Sequence, residues 1–460
     1  MNSKIFDYSE QNKFLVLILS IFPITLITGP LIPEIIILSI NILFIINYRK
    51  FSLTKSEKKI ITILFIWWLY LLIISFFSND IKVSFKSTLF YFRYILFGCS
   101  IYFFYLANTK SIKYLIISIC FCFLILILDS LLQFFYGTNI LGYSKYGMVG
   151  IYDTIRLGSL FGDELILGSY MSKFLSFFFV FLFFFKDKKI RFFLIIIIFA
   201  SSIVIFLSGE RQAFYSIMLL YLLLILFSNK KNLIIILKIF SLLLIVYFFL
   251  IQSNPQISTR MMTPINNIKT LYSKIYSKFQ KNNQDRIILS LKHNDNSKEK
   301  NNLVIFTNSH TSHYKIALAI IQNNLFFGSG PNTFRYICDQ QKYRIYLNKD
   351  ENGCSNHPHN HYIQIAAETG LVGFVFLFGF FIFMLSKFLR IFYNKFISKY
   401  KPLHDQGYKI VAVISILIML NPVMPNGNIF NNYLNILYYC IFALNFLIIN
   451  KNFLKFKLNF

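Results

Sequence analysis

The chain has 460 residues, of which 56% are hydrophobic, 19% aromatic and only 14% charged. That balance excludes an ordinary soluble globule and fits an all-α polytopic membrane protein. The formal net charge of +27 would suit a polynucleotide groove. The basic residues, however, fall in short clusters between apolar runs, a placement that membrane topology explains and nucleic acid does not.

A membrane-spanning helix needs about 20 apolar residues. In chain order, runs of this kind cover 14–29, 32–47, 60–77, 88–106, 112–135, 165–185, 192–208, 212–228, 233–251, 363–386, 409–422 and 430–450, about twelve spans. The polar N-terminus has no cleavable-leader pattern, and the first run reads as a span. Lys/Arg clusters at 49–59, 110–113, 186–191, 230–231, 387–409 and the C-terminus recur on alternate sides. By the positive-inside rule, both termini are expected to be cytoplasmic. The segments 136–164 and 252–361 then face outward. Three regions result: spans one to nine (1–251) with the smaller outward loop, the large outward loop (252–361) and spans ten to twelve (362–460). No internal repeat is evident. Within the large loop, 266–302 is Lys/Asn-rich, while 312–327 reads as a helix ending at the turn Gly328-Ser329-Gly330-Pro331.

Cys99, Cys120, Cys122 and Cys440 lie in spans and read as small buried packing groups. Cys338 and Cys354 share the outward loop, where disulfides persist, and are expected to pair. Their bridge would fix the backbone before His357.

The stretch CSNHPHNHYIQIAAETG (354–370) gathers three of the seven histidines at alternate positions just before the tenth span. A metal site is one reading, a polar loop with three surface histidines another. Pro358 and Asn360 argue against a strand carrying three ligands on one face, and Asn360 followed by YIQIAAE has the form of a helix N-cap and first turn. A helix start presents free N–H groups, a natural seat for phosphate, beside neutral histidines able to accept a proton.

Other polar residues are scarce and have plain structural readings beside functional ones. Ser208-Gly209-Glu210-Arg211-Gln212 interrupts two spans at the outer side. Glu210 and Arg211 can pair with each other, or Arg211 can face a polar cavity. Arg260 follows the ninth span, where snorkelling to headgroups is the simple reading. Arg335 is a plain loop arginine on spacing alone. Arg93 lies in the fourth span, Arg156 and Asp163-Glu164 in the smaller loop. Asp129 and Gln133, one turn apart, point to a polar cavity reaching the outer face.

At these residues a resemblance enters. HPHNHYIQIAAETGLVG (357–373) resembles the signature of the O-antigen ligase and O-antigen polymerase superfamily, a His-Asn pair followed by an aromatic, Ile-Gln and Glu-x-Gly-x-x-Gly. AIIQNNLFFGSGPNTF (319–334) is similar to its G-x-G-x-x-x-F segment, and RLGSLFGDELILGSY (156–170) and LSGERQAF (207–214) resemble its segments around earlier spans. The resemblance runs from about residue 129 to 380. It implies a GT-C type glycosyltransferase of the bacterial inner (cytoplasmic) membrane, acting at the periplasmic face on glycans carried by undecaprenyl diphosphate, with no metal and no cofactor. His359 would be the general base. Arg211 and Arg260 would hold the donor diphosphate, with Arg335 as a further diphosphate ligand and Asn360, His310, His313, Arg156 and Glu210 in support. Many members carry an arginine four residues before an aromatic ahead of the G-x-G turn. His310 and Tyr314 stand there in this chain, so His310 or Arg335 is expected to supply that charge.

The acceptor would be lipid A-core in a ligase of lipopolysaccharide biosynthesis, or a second lipid-linked glycan in a polymerase. The long, ordered-looking loop favours the ligase. A polysaccharide-lipid flippase is the rival from another class, and it would need a path through the membrane rather than a one-sided loop with a poised histidine.

Overall fold

Every one of the twelve apolar runs contains a helix in the computed structural model, which describes residues 10–51, 53–108, 111–145, 155–261, 308–345, 347, 353–396 and 407–450. The Lys/Asn-rich segment 266–302 lies outside the described residues. The helices are α1 (Glu10–Thr25), α2 (Leu31–Asn47), α3 (Lys55–Ser75), α4 (Ile81–Thr88), α5 (Phe92–Ala107), α6 (Ile112–Tyr136), α7 (Leu167–Phe184), α8 (Lys188–Leu207), α9 (Arg211–Phe227) and α10 (Lys230–Ser253). After the loop come α11 (Asn308–Asn323), the single turns α12 (Phe334–Ile337) and α13 (Gln341–Arg344), and then α14 (His361–Phe396), α15 (Gly407–Met419) and α16 (Asn432–Asn450). Among the described residues there is no strand, only an isolated bridge between Thr138 and Ser144. Eight helical segments, with α4 and α5 forming one of them, are long and apolar enough to cross a membrane. Shorter apolar helices at Leu15–Thr25, Leu31–Asn47, Arg211–Phe227 and Gly407–Met419 account for the other four runs.

The ends of these helices follow from local chemistry. Thr54 and Glu57 form a capping box that starts α3, and Asp80, Asp187 and Asn229 accept backbone N–H bonds at the starts of α4, α8 and α10. Gly29, at φ 95°, makes the turn between α1 and α2. α7 is buried along most of its length and occupies the centre, packed against α8, α9 and α15. α5 packs on α16 and α1 on α6 around it.

Outside the spans, a second core of Ile316, Ile320, Phe334, Ile337, Tyr343 and Ala367 fastens α11 onto the first turns of α14. Cys338 and Cys354 are joined by a disulfide there, with Cα atoms 5.3 Å apart. Two sequence readings take definite form here. Asp129 and Gln133, read as marking a polar cavity, are bonded to the smaller outward loop. Asp129 accepts from Ser159 Oγ at 2.6 Å and Ile140 N at 3.0 Å, and Gln133 accepts from Ser159 N at 2.9 Å. They pin the smaller outward loop to the end of α6, because its turn leaves backbone donors that need partners. The eleventh run ends as helix at Met419, and 421–428 (NPVMPNGN), rich in Pro, Asn and Gly, continues as irregular chain toward the site.

Candidate active site

The loop after Cys354 is shaped for its histidines. His359 adopts the left-handed conformation, φ 58°. Next to it, Asn360 turns the chain into α14, its Oδ1 accepting from Tyr362 N at 2.9 Å and Ile363 N at 3.1 Å. The N-cap read from sequence therefore forms, and it has a further consequence. Asn360 takes up two of the free N–H groups of α14, which leaves this helix start a weaker phosphate seat than an uncapped one.

Four imidazoles converge here. The His359 ring centroid lies 4.2 Å from that of His357, 5.0 Å from His310 and 5.4 Å from His313. His357 Nε2 lies 3.2 Å from Asn426 O and His313 Nδ1 3.0 Å from Gly353 O. A carbonyl only accepts, so each of these nitrogens carries the proton. His310 Nδ1 and His357 Nδ1 are buried without a partner. Burial, and then the neighbouring His357, His310 and His313, push His359 down to about 3. Burial takes His357 to about 4 and also lowers His310. All three rings are thus neutral near pH 7. His361 is buried rather than solvent-facing, edge-on to Tyr438.

The second half of the site is built on Gly209, at φ 68°. A Cβ there would come within 3.0 Å of both Arg260 Nε and Ile155 O, so only glycine admits Arg260 and the chain carrying Arg156 so closely. Arg260 Nε donates to Gly209 O at 2.7 Å, which replaces the snorkelling reading with an inward-held side chain. Burial and the charges of Arg156 and Arg211 lower Arg260 to about 10. Arg156 bonds Leu165 O at 3.2 Å, its Nε is buried and unpartnered, and burial lowers its pKa as well. Arg211 opens α9, whose start no side chain caps, and its side chain makes no hydrogen bond or ion pair with any described residue. The Glu210–Arg211 pair considered from sequence is not made. Glu210 instead accepts from Gly168 N at 2.7 Å and Ser169 N at 3.0 Å, one bond to each carboxylate oxygen. Burial pushes its carboxyl upward against the pull of Arg156, these amides and Lys173. The charge of Arg211 also lowers His310, after burial and His313.

A rigid frame holds both. Asn426 is its hinge pin: its N–H donates to His359 O at 2.9 Å, its carbonyl faces His357, and its side chain accepts from Gln212 at 3.0 Å. Glu368 accepts from Asn332 N and Phe334 N, and Gln364 bridges Glu368 to Asn428. Gly328 and Gly370 let the turn and the helix touch, since a Cβ on Gly370 would sit 2.2 Å from Phe326 O. Arg335 is exposed on α12 and lies on the histidine side, where it acts on His357.

Residues 193–378 match the family model described as O-antigen ligase. The chain carries an O-antigen ligase family region. No curated protein matches the sequence significantly. The O-antigen ligase region runs from α8 into α14 and contains Arg211, Arg260, His310, His313, Arg335, His359 and Asn360. Arg156 and the 421–428 chain complete the site from outside it. The match supports activity of the O-antigen ligase or polymerase type in general terms. Among the described residues no group of three or more His, Cys, Asp or Glu side chains is arranged to hold a metal ion. Asn426 and Lys173 were not singled out from sequence, where their only signal was a polar residue beside or inside an apolar run. Gln364 and Glu368 stood in the quoted Ile-Gln and Glu-x-Gly-x-x-Gly signature, but their framing role did not show there.

Proposed function

We propose that the protein transfers a glycan from an undecaprenyl-diphosphate carrier to an acceptor sugar hydroxyl at the periplasmic face of the inner membrane, with lipid A-core as the preferred acceptor. The observation that carries this reading is that Asn426 ties the neutral, partly accessible His359 to Gln212, the neighbour of Arg211 at an uncapped helix start against which Arg260 is held. Free amides and the helix dipole at α9, with Arg156, Arg211 and Arg260, suit a diphosphate. The donor's sugar would lie toward the histidines.

In this mechanism the acceptor oxygen attacks the anomeric carbon as His359 takes its proton. The bond from that carbon to the phosphate oxygen breaks, and the arginines stabilise the charge that grows on the lipid diphosphate. A single displacement inverts the anomeric centre. The charge on the leaving group is met by guanidinium groups, so no metal is required. His310 and His313 pack beside His359 and limit its hydration, and Arg335 stands where an acceptor would approach.

The test is transfer by purified protein from lipid-linked donor, with excess chelator present. His359→Ala is expected to lower kcat by roughly 10²–10⁴-fold, while wild type keeps full activity in chelator. An active His359→Ala protein, or loss of wild-type activity on chelation with recovery on adding metal, would refute the base assignment or the metal-free chemistry respectively.

A further inference from the structure

Lys173 lies in the second turn of α7, buried, with its amine 5.9 Å from the centroid of the Tyr438 ring. It has no ion pair among the described residues. Nζ donates to Ser169 O at 3.1 Å and to Ser169 Oγ. A buried ammonium inside a span is retained only where it has electrostatic work and a partner. The partner is reached through Ser169, whose N–H donates to Glu210. Both Glu210 oxygens accept backbone N–H bonds, the bonding of an ionised carboxylate at a helix start. Gly168 makes the approach possible, because a Cβ there would meet Ser208 Oγ at 2.4 Å. Lys173, Ser169 and Glu210 therefore form a line that ends one residue before Arg211.

That line answers a question the site raises. A carboxylate next to Arg211 in sequence is its default counter-ion, and a paired Arg211 would bind a diphosphate poorly. We propose that Lys173 is a positioning residue for donor binding: through Ser169 it keeps the Glu210 carboxylate on the start of α7 and so leaves Arg211 free for the diphosphate. This deepens the functional reading above and rests on it. Removing the ammonium deprives the carboxylate of the compensating charge on α7, Arg156 being the other charge that acts on it, and lets it turn to the guanidinium beside it. Lys173 itself does not touch the ligand.

Binding of geranylgeranyl diphosphate to the full chain in nanodiscs tests this without relying on transfer. Lys173→Met is expected to raise Kd about tenfold, the scale of one lost charge-assisted contact. Lys173→Gln, which keeps a donor for Ser169, should do the same. Adding Glu210→Gln to Lys173→Met should restore most of the affinity, because no carboxylate remains to occupy Arg211. In transfer assays the lysine variants should raise the donor KM while changing kcat little, a split that a general packing defect would not give. Wild-type affinity in both lysine variants overturns the inference, as does a double variant as weak as the single one. Absence of diphosphate binding by wild type would instead sink the functional reading itself.

Discussion

His359, Ser159 and Asn332 are the non-glycine residues with positive φ among the described residues, and each lies in one of the loops that meet at the site. Such conformations are retained where the surroundings over-determine them. Asp129 and Gln133 hold Ser159, Glu368 holds Asn332 through its N–H, and Asn426 holds His359 through its carbonyl. Backbone strain of this kind aims a side chain, and at His359 it sets the ring among three others in a half-buried pocket. The depressed pKa values have a measurable consequence. Above the ordinary histidine range near 6.5 the neutral rings are native-like and the loop is at its most stable. As pH falls, the unfolded loop binds protons first, so stability declines from about pH 6.5 and continues to fall toward the folded values of about 4 and 3. Thermal melting between pH 7.5 and 4.5 should show this loss, and a His357→Gln/His359→Gln double variant should show a shallower slope. For catalysis, kcat/KM reports the free protein and should stay flat through pH 6.5. A break there would place an ordinary, solvated histidine in the role of base.

At the scale of elements, the outward face depends on a few close backbone approaches. The turn 326–330 and the first bend of α14 meet through two glycines. A Cβ on Gly328 would lie 2.3 Å from Glu368 C, and Gly370, at φ 69°, faces Phe326 O in return. Gly370→Ala should cost about 2 kcal/mol or more, combining left-handed strain of roughly 1–2 kcal/mol with displaced backbone. It should loosen α11 and the histidine loop while the spans stay folded, which hydrogen exchange resolved by peptide would report. The disulfide acts on the same unit. It closes a loop of sequence separation 16, worth roughly 3 kcal/mol in the chain-entropy model. Cys354→Ser should therefore expose the loop around residues 353–360 to protease and lower activity without altering membrane insertion. Uniform protection in either variant would mean that the frame of Asn426, Gln364 and Glu368 suffices alone.

At the scale of the whole molecule, hydropathy is a strong signal because a span must satisfy its backbone internally, and each apolar run became a helix for that reason. The Asn360 N-cap was legible because the capping chemistry is local. The same capping that marks the start of α14 also occupies two of its N–H groups, and the uncapped start lies at α9. The loop bonds of Asp129 and Gln133 were not legible because a polar residue in a span looks alike whether it lines water or bonds a loop. Asn426 escaped notice because its partner His357 is 69 residues away, and Lys173 because the Glu210 carboxylate it reaches through Ser169 is 37 residues away, distances no local pattern spans. The arrangement also bears on direction. If both termini are cytoplasmic, α3, α7 and α14 bring their site-facing ends to one outer face, where His359, Arg211 and Glu368 gather. Reporter fusions should then be active in the periplasm when placed after residues 145 and 308, and silent there after residues 50, 186 and 450. With that orientation, deletion of the gene separates the two glycan reactions on a gel of surface polysaccharide. A ligase leaves lipid A-core with no attached repeat, because nothing joins carrier to core. A polymerase leaves one repeat attached, because joining survives and lengthening does not. The first pattern is expected here, and the second would reassign the acceptor while keeping His359 and the arginines in their roles.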